Sequence, residues 1–339
     1  MIVLIERKEK RRILKILRGS SHLLSLTARL SMIVAVLGVA TGLFSSVYGG
    51  LAGIPSAFVD IGYGARPMGM GGAYVALADD INTILWNPAG LTRLAGREIT
   101  FMYADQMGLV PYYFAAYGQS FWQNHAHGEA IIHSGDEVLS ETTLLAAYGY
   151  TPEGVLGPPL DRLRLGATFK VRLSSFGDNS DGGEERSRGD GFGFGLDLGA
   201  QWRATDKLIL GVLARDILNT VSYNNEARGE KYSESVPSSL VLGLSTSASE
   251  RLLFALDLEK SLYADTDDII HFGAEWILLD PLTLRVGFSQ NIGPEIYRSY
   301  SLGLGVRHDF RVGMGFRFDF AYIFNEVRDT SRVSTTLIF

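Results

Sequence analysis

The residue types that usually carry chemistry are sparse in this chain and poorly framed. His125, His127 and His133 lie close together, with Ser134 and Asp136 beside them. A hydrolytic centre needs a nucleophile, a base and an orienting acid in fixed relation, and no motif around these residues supplies that frame. Asp178-Asn-Ser-Asp-Gly-Gly-Glu-Glu185 has the composition of a calcium loop, but its carboxylates miss the EF-hand positions, so it reads as a solvated loop. Gly62, Gly64, Gly69, Gly71 and Gly72 invite comparison with a phosphate-binding loop. They do not complete G-x-G-x-x-G, and no strand–helix–strand unit follows. There is no cysteine, which excludes thiolate metal sites, iron–sulfur clusters, thiol catalysis and disulfides. The chain therefore reads as a non-enzyme, with no catalytic residue, metal site or cofactor expected. Its net charge of −6 and the lack of a basic stripe in its body argue against a nucleic-acid partner.

What the charged residues do instead follows from their spacing. Leu282, Leu284, Val286 and Phe288 alternate with Thr283, Arg285, Gly287 and Ser289, the period of two that marks a half-buried strand. The pattern recurs as Tyr300, Leu302, Leu304 and Val306 against Ser301, Gly303, Gly305 and Arg307. It recurs again as Val312, Met314, Phe316, Phe318 and Phe320 against Gly313, Gly315, Arg317 and Asp319. Counted over the chain, it predicts about 14 strands. They fall near 98–106, 112–119, 127–133, 141–151, 162–175, 190–204, 207–216, 237–247, 251–261, 268–278, 282–290, 299–309, 312–324 and 331–339. Tight turns at 204–207, 247–250, 279–281 and 309–311 alternate with long polar loops such as 175–189, 217–236 and 291–298. A transmembrane barrel has this asymmetry, with an apolar outside, a polar lumen and aromatic girdles. A soluble β-sandwich, which also alternates, does not explain it. The expected fold is all-β: a transmembrane antiparallel barrel at 98–339, with its polar positions in the lumen. Those include Arg164, Lys170, Arg172, Asp197, Arg203, Arg215, Asp257, Glu259, Glu275, Arg285, Arg307, Arg317 and Asp319, whose mixed signs point to cross-strand ion pairs. His127 and His133 are expected on the same lumen face.

The first part of the chain is built differently. Residues 1–29 are basic, Leu30–Phe44 is apolar and small residues follow, the three parts of a secretory signal, with an exit near Gly49. Export past an inner membrane is the expectation. Residues 50–97 break the strand pattern and are expected to fold into the barrel as a plug. There Asp79 and Asp80 should cap a short helix at 81–86, and Asn87, preceding Pro88, should end it.

Arg66-Pro-Met-Gly-Met-Gly-Gly-Ala73, Ala78-Asp-Asp80 and Trp86-Asn-Pro-Ala-Gly-Leu91 resemble the N-terminal signature of the PorV/PorQ (UPF0164-type) outer-membrane proteins. These are similar in turn to the FadL long-chain fatty acid transporters, whose hatch also carries Asn-Pro-Ala. The terminal alternation Arg332–Phe339 resembles an outer-membrane assembly signal. The resemblance implies a 14-stranded barrel with an N-terminal hatch in the outer membrane of a diderm bacterium. It implies passage of hydrophobic, fatty-acid-like compounds, with Arg66, Met68, Met70, Trp86, Asn87, Pro88 and Ala89 as hatch or ligand residues. Phe58, Met68, Met70 and Trp86 would then line an apolar pocket between hatch and wall. The alternative is a barrel that binds exported cargo or secretion-system proteins through Tyr223, Asn224, Asn225 and Tyr232 in the 217–236 loop.

Overall fold

A computed structural model of the chain describes Phe58 and residues 61–339, apart from 107–109, 123, 136–138, 159, 178–187, 227–228, 264–265, 312 and 327. The basic and apolar N-terminal stretch and the acidic 178–185 loop lie outside the described residues.

The alternating segments form sixteen strands among the described residues. In chain order these are β1 Arg97–Gln106, β2 Val110–Phe121, β3 His125–Gly135, β4 Leu139–Tyr150, β5 Leu163–Phe176, β6 Gly189–Arg203, β7 Leu208–Leu218 and β8 Thr220–Asn225. There follow β9 Glu230–Ser235, β10 Ser239–Ser247, β11 Leu252–Ser261, β12 Asp268–Leu279, β13 Leu282–Ile292, β14 Arg298–Arg311, β15 Met314–Asn325 and β16 Thr330–Ile338. Each pairs antiparallel with its neighbour, except that β7 pairs with β10 and β8 pairs with the upper part of β6. The last strand returns to the first, from Glu98 opposite Ile338 to Asp105 opposite Ser331. Leaving aside the β8–β9 hairpin, fourteen strands therefore form a closed barrel with no free edge, which removes the liability of an unpaired strand.

The burial pattern is that of a soluble protein turned inside out. In β13, Arg285 is 5% exposed while its neighbour Val286 is 49% exposed. In β6, Asp197 and Gln201 are buried while Phe192, Phe194 and Leu198 are exposed. An apolar exterior over a polar interior is the arrangement of a barrel that faces lipid.

Several expectations are corrected here. The 217–236 stretch is not a plain loop, because β8 and β9 form a hairpin that continues the sheet from β6. Tyr223 points inward and is buried, stacked on the exposed Tyr232 with ring centroids 5.1 Å apart. The hairpin departs where β6 and β7 slip register between Leu196 and Leu198. There Asp216 takes a φ of 51° and donates its backbone N–H to Asp197 at 2.8 Å. His127 and His133 do not face the lumen. Ala126, Gly128 and Ala130 occupy the inward positions of β3, so parity puts the histidines outside, against Glu129 and Thr142. Arg307 also lies outside the charged interior, exposed and paired with Asp309 at 3.0 Å near the end of β14, where the turn begins only after Arg311.

Closure can be checked directly, because the chain has no cysteine of its own. Thr100 and Thr336 lie opposite each other on β1 and β16 with their hydroxyls 2.9 Å apart. The double variant Thr100→Cys, Thr336→Cys is expected to crosslink on mild oxidation, since directly opposed residues bring their Cβ atoms within disulfide reach. Absence of the crosslink in folded protein would contradict this closing pair.

Candidate functional site

Residues 61–94 do not form strands, and they touch the inward face of the wall nearly all the way round. Ile81 packs by Gly118, Ile84 by Gly128, Leu91 by Gly149, Ala76 by Gly211 and Gly243, and Met70 by Gly273. A segment that meets the inner face of so many strands of a closed barrel occupies its lumen. The glycines make this possible by sparing space. A Cβ on Gly166 would lie 2.3 Å from the Ala89 nitrogen, and one on Gly287 would lie 2.1 Å from the Gly71 nitrogen.

Only short helices form in this segment, Ala65–Gly69 and Thr83–Trp86, followed by a 3₁₀ turn at Pro88–Arg93. Its backbone groups therefore need other partners. Turns within the segment supply some, as where the Gly72 and Ala78 N–H groups donate to the Pro67 and Tyr74 carbonyls, and wall side chains supply others. One Asp257 carboxylate oxygen accepts the N–H groups of Tyr74 and Val75 at 2.7 and 2.8 Å. Gln201 donates to the Val75 and Ala78 carbonyls at 3.1 and 3.0 Å, and Thr168 donates to Ile84 at 2.9 Å. Arg332 holds the carbonyls of Ile61 and Gly62 at 2.6 and 2.9 Å, while Ser334 accepts the Ala65 N–H at 2.8 Å.

A second attachment is ionic. Arg66, Glu275, Arg285, Asp319, Arg317 and Asp80 close a ring of alternating charges, each neighbouring pair between 2.7 and 3.1 Å. Arg66 and Asp80 belong to the lumenal segment, and the other four to β12, β13 and β15. Asp79 adds a further contact to Arg66 at 2.7 Å and one to Arg93 at 3.3 Å. Burial by itself would raise the Asp80 carboxyl, but Arg317 and Arg66 outweigh it and bring it down to about 2. This differs from the helix cap expected of the aspartates. The helix begins only at Thr83 with no side-chain cap, and Asp80 instead accepts from the Asn82 N–H and side-chain amide.

Above the segment, on the side of the long loops, lies a cavity of about 360 Å³. Phe58, Ile61, Met68, Trp86, Val236 and Ile323 form its apolar lining, and Arg215, Asp216, Glu259, His271 and several serines its polar one. Glu259 pairs with Arg215 at 3.3 Å, and His271 hydrogen-bonds the Gly71 carbonyl at 2.8 Å.

The seven residues singled out by sequence divide into three groups. Met68 and Trp86 line the cavity, and the Trp86 indole N–H is anchored on the Tyr63 carbonyl at 2.8 Å. Met70 does not line it. It is fully buried on the wall side, beside Gly273 and with Tyr74 and Leu77, because the backbone turn at Gly71 and Gly72 directs it away. Arg66, Asn87, Pro88 and Ala89 are anchors. Asn87 is extended, as a residue before proline must be, and its amide donates to Val75 and Ala200 at 2.9 and 3.1 Å. Pro88 and Ala89 fill the space left by Gly166 and Gly199. Gln201, Thr168, Arg332 and Ser334 are further anchors beyond those seven. Strand parity places each of them inward, but only the fold shows which backbone group each one meets.

No family model and no curated protein matches the chain. Solved structures do. The CymD monoaromatic hydrocarbon channel superposes with a TM-score of 0.59 at 15% identity, over 83% of this chain and 98% of that one. A Pseudomonas aeruginosa FadL homologue gives 0.58 at 12% identity, over 81% and 97%. The Ralstonia pickettii toluene transporter TbuX gives 0.55 at 16%, over 82% and 97%. At such identities the likeness is one of fold.

Two outcomes test the anchoring. Asp80→Asn leaves Arg66 and Arg317 under-compensated in a buried ring and is expected to cost about 3–5 kcal/mol in denaturant unfolding of the folded protein. Because the folded Asp80 carboxyl titrates below its ordinary value, its contribution is complete above about pH 4. It is lost as the pH falls through about 2. Release of the lumenal segment to added protease at pH 5 would contradict this. Asn87→Ala, which strips two buried carbonyls of a donor, is expected to cost about 1–3 kcal/mol in the same unfolding measurement.

Proposed function

We propose that this chain is an outer-membrane channel for small hydrophobic molecules, in which residues 61–94 act as a hatch and the cavity above them receives the passing molecule. The observation that carries this reading is the cavity itself. It is concave, lined by Phe58, Ile61, Met68 and Trp86, and bounded by a few fixed polar groups. Its volume of about 360 Å³ lies within the range of small-molecule pockets. The apolar exterior of the barrel supports a place in a bilayer, and the signal-like N-terminal sequence supports export. The barrels it superposes on include ones described as hydrocarbon and toluene channels or transporters. Passage requires the hatch to shift, since the lumen beneath the cavity is filled by Tyr74, Leu77, Ile81 and Ile84, all buried.

A fatty-acid-like cargo is the finer form of this reading, and no individual acyl contact supports it over a compact apolar molecule. Of the contact residues expected for a protein-binding barrel, Tyr223 and Asn225 are buried in the hairpin and Asn224 is half-buried, which leaves Tyr232 alone exposed.

The test uses the fluorescent probe N-phenyl-1-naphthylamine with purified protein in micelles and in proteoliposomes. Met68→Glu, which sets a charge in the apolar lining, is expected to weaken probe binding at least tenfold while heat-modifiable gel mobility reports an intact barrel. Asn87→Ala is expected to speed probe entry. Unchanged binding and entry in both variants would remove the cavity and the hatch from the proposed path.

A further inference from the structure

The opposite face of the lumenal segment carries a different kind of site. At the short-turn end of the barrel a pocket of about 270 Å³ is lined by Arg93, Arg164, Arg203 and Lys207 and by one acid, Asp206, with Leu77 and the inward-facing Ser245 and Ser247 completing it. Strand parity aims Arg164 inward, since Thr168, Lys170 and Arg172 are the buried positions of β5, while Arg203 borders the pocket as an exposed residue at the end of β6, beside the buried Trp202.

The acids nearby are already engaged. Asp206 pairs with Arg162 at 3.2 Å, and Asp79 is shared between Arg66 and Arg93. Among the described residues no carboxylate pairs with Arg164 or Arg203. The charges that act on Arg164 are those of Arg93 and Arg203, both of its own sign, and its buried Nη1 has no hydrogen-bond acceptor. Like charges gathered around an unsatisfied guanidinium are costly, and an oxyanion cancels both costs because its oxygens match the guanidinium fork. Arg93 is already fixed for the task, as it donates to the Leu77 carbonyl at 2.7 Å.

We propose that Arg93, Arg164 and Arg203 form a seat for a compact oxyanion, a phosphate or carboxylate group, at the short-turn mouth of the barrel. The site is separate from the apolar cavity and does not depend on what that cavity holds. Its ligand is either a free ion or the charged group of a lipid.

The full chain in nonionic detergent at low ionic strength is titrated calorimetrically with inorganic phosphate, acetate and dihexanoyl phosphatidic acid. One saturable site is expected for phosphate or acetate, weakened at least tenfold by Arg164→Gln and by Arg203→Gln. Arg307→Gln, an exposed arginine at the same end of the barrel but outside the pocket, serves as the control and is expected to change nothing. Arg203 lies at the end of its strand, so its variant remains informative if Arg164→Gln fails to fold. Tighter binding of the phosphatidic acid than of phosphate assigns the seat to a lipid headgroup, and equal or weaker binding assigns it to the free ion. A titration that does not saturate overturns the proposal. So does an affinity unchanged in both pocket variants, or lowered equally by Arg307→Gln.

Discussion

A stretch of irregular backbone inside a closed barrel has no strand edge to pair with, and this fixes most of the interior. Residues 61–94 bring carbonyls and N–H groups that no ladder satisfies, in a space where leaving them unmet is expensive. The inner wall is therefore not merely polar but polar at particular places. Asp257 stands opposite two adjacent N–H groups, Gln201 opposite the bend at Val75–Ala78, and Arg332 opposite Ile61 and Gly62. Where the wall needs no donor it is often glycine, so that the segment can come within contact of the backbone. The ring of six charges follows the same logic with stronger partners. Within the ring each arginine touches two carboxylates and each carboxylate two arginines, and Asp79 adds a third carboxylate to Arg66 from outside it.

The two ends of the lumenal segment consequently differ. Toward the long loops its Met68 and Trp86 meet Phe58 and Ile323 around an open space. Toward the short turns Arg93 and Leu77 meet Arg164 and Arg203. A molecule approaching from one side encounters apolar surface, and one from the other encounters positive charge. On the long-loop side, the slip of register at Asp216 gathers Lys170 and Arg172 and diverts the chain into the hairpin.

The barrel was legible in the sequence because strand parity is a local property. Arg285 beside Val286 and Asp197 beside Leu198 declare the two faces without reference to anything distant, and the fourteen expected barrel strands all lie within a few residues of the observed ones. The same rule misplaced His127 and His133, where the inward face is Ala126, Gly128, Ala130, Ile132 and Ser134 and the histidines lie outside. It also passed over β8 and β9, whose short strands among charged and amide residues look like loop. Inside the lumen, sequence found the break at Asn87-Pro88, which follows from the backbone alone. It could not find that Met70 turns from the cavity while Met68 lines it, because that depends on two left-handed glycines at 71 and 72. Nor could it assign Asp80 to Arg317, a partner 237 residues away.

That separation bears on how the molecule comes to be assembled. Arg332 and Ser334 lie on β16, yet they hold Ile61, Gly62 and Ala65, at the start of the described lumenal segment. β16 is also the strand that seals the wall against β1. Its docking brings the Arg332 guanidinium to the carbonyls at 61 and 62 and the Ser334 hydroxyl to the Ala65 N–H, and it closes the lumen from the side. Sealing the cylinder and holding its contents therefore draw on the same strand. The side chains that grip the start of the inner segment are thus carried by the strand that completes the wall.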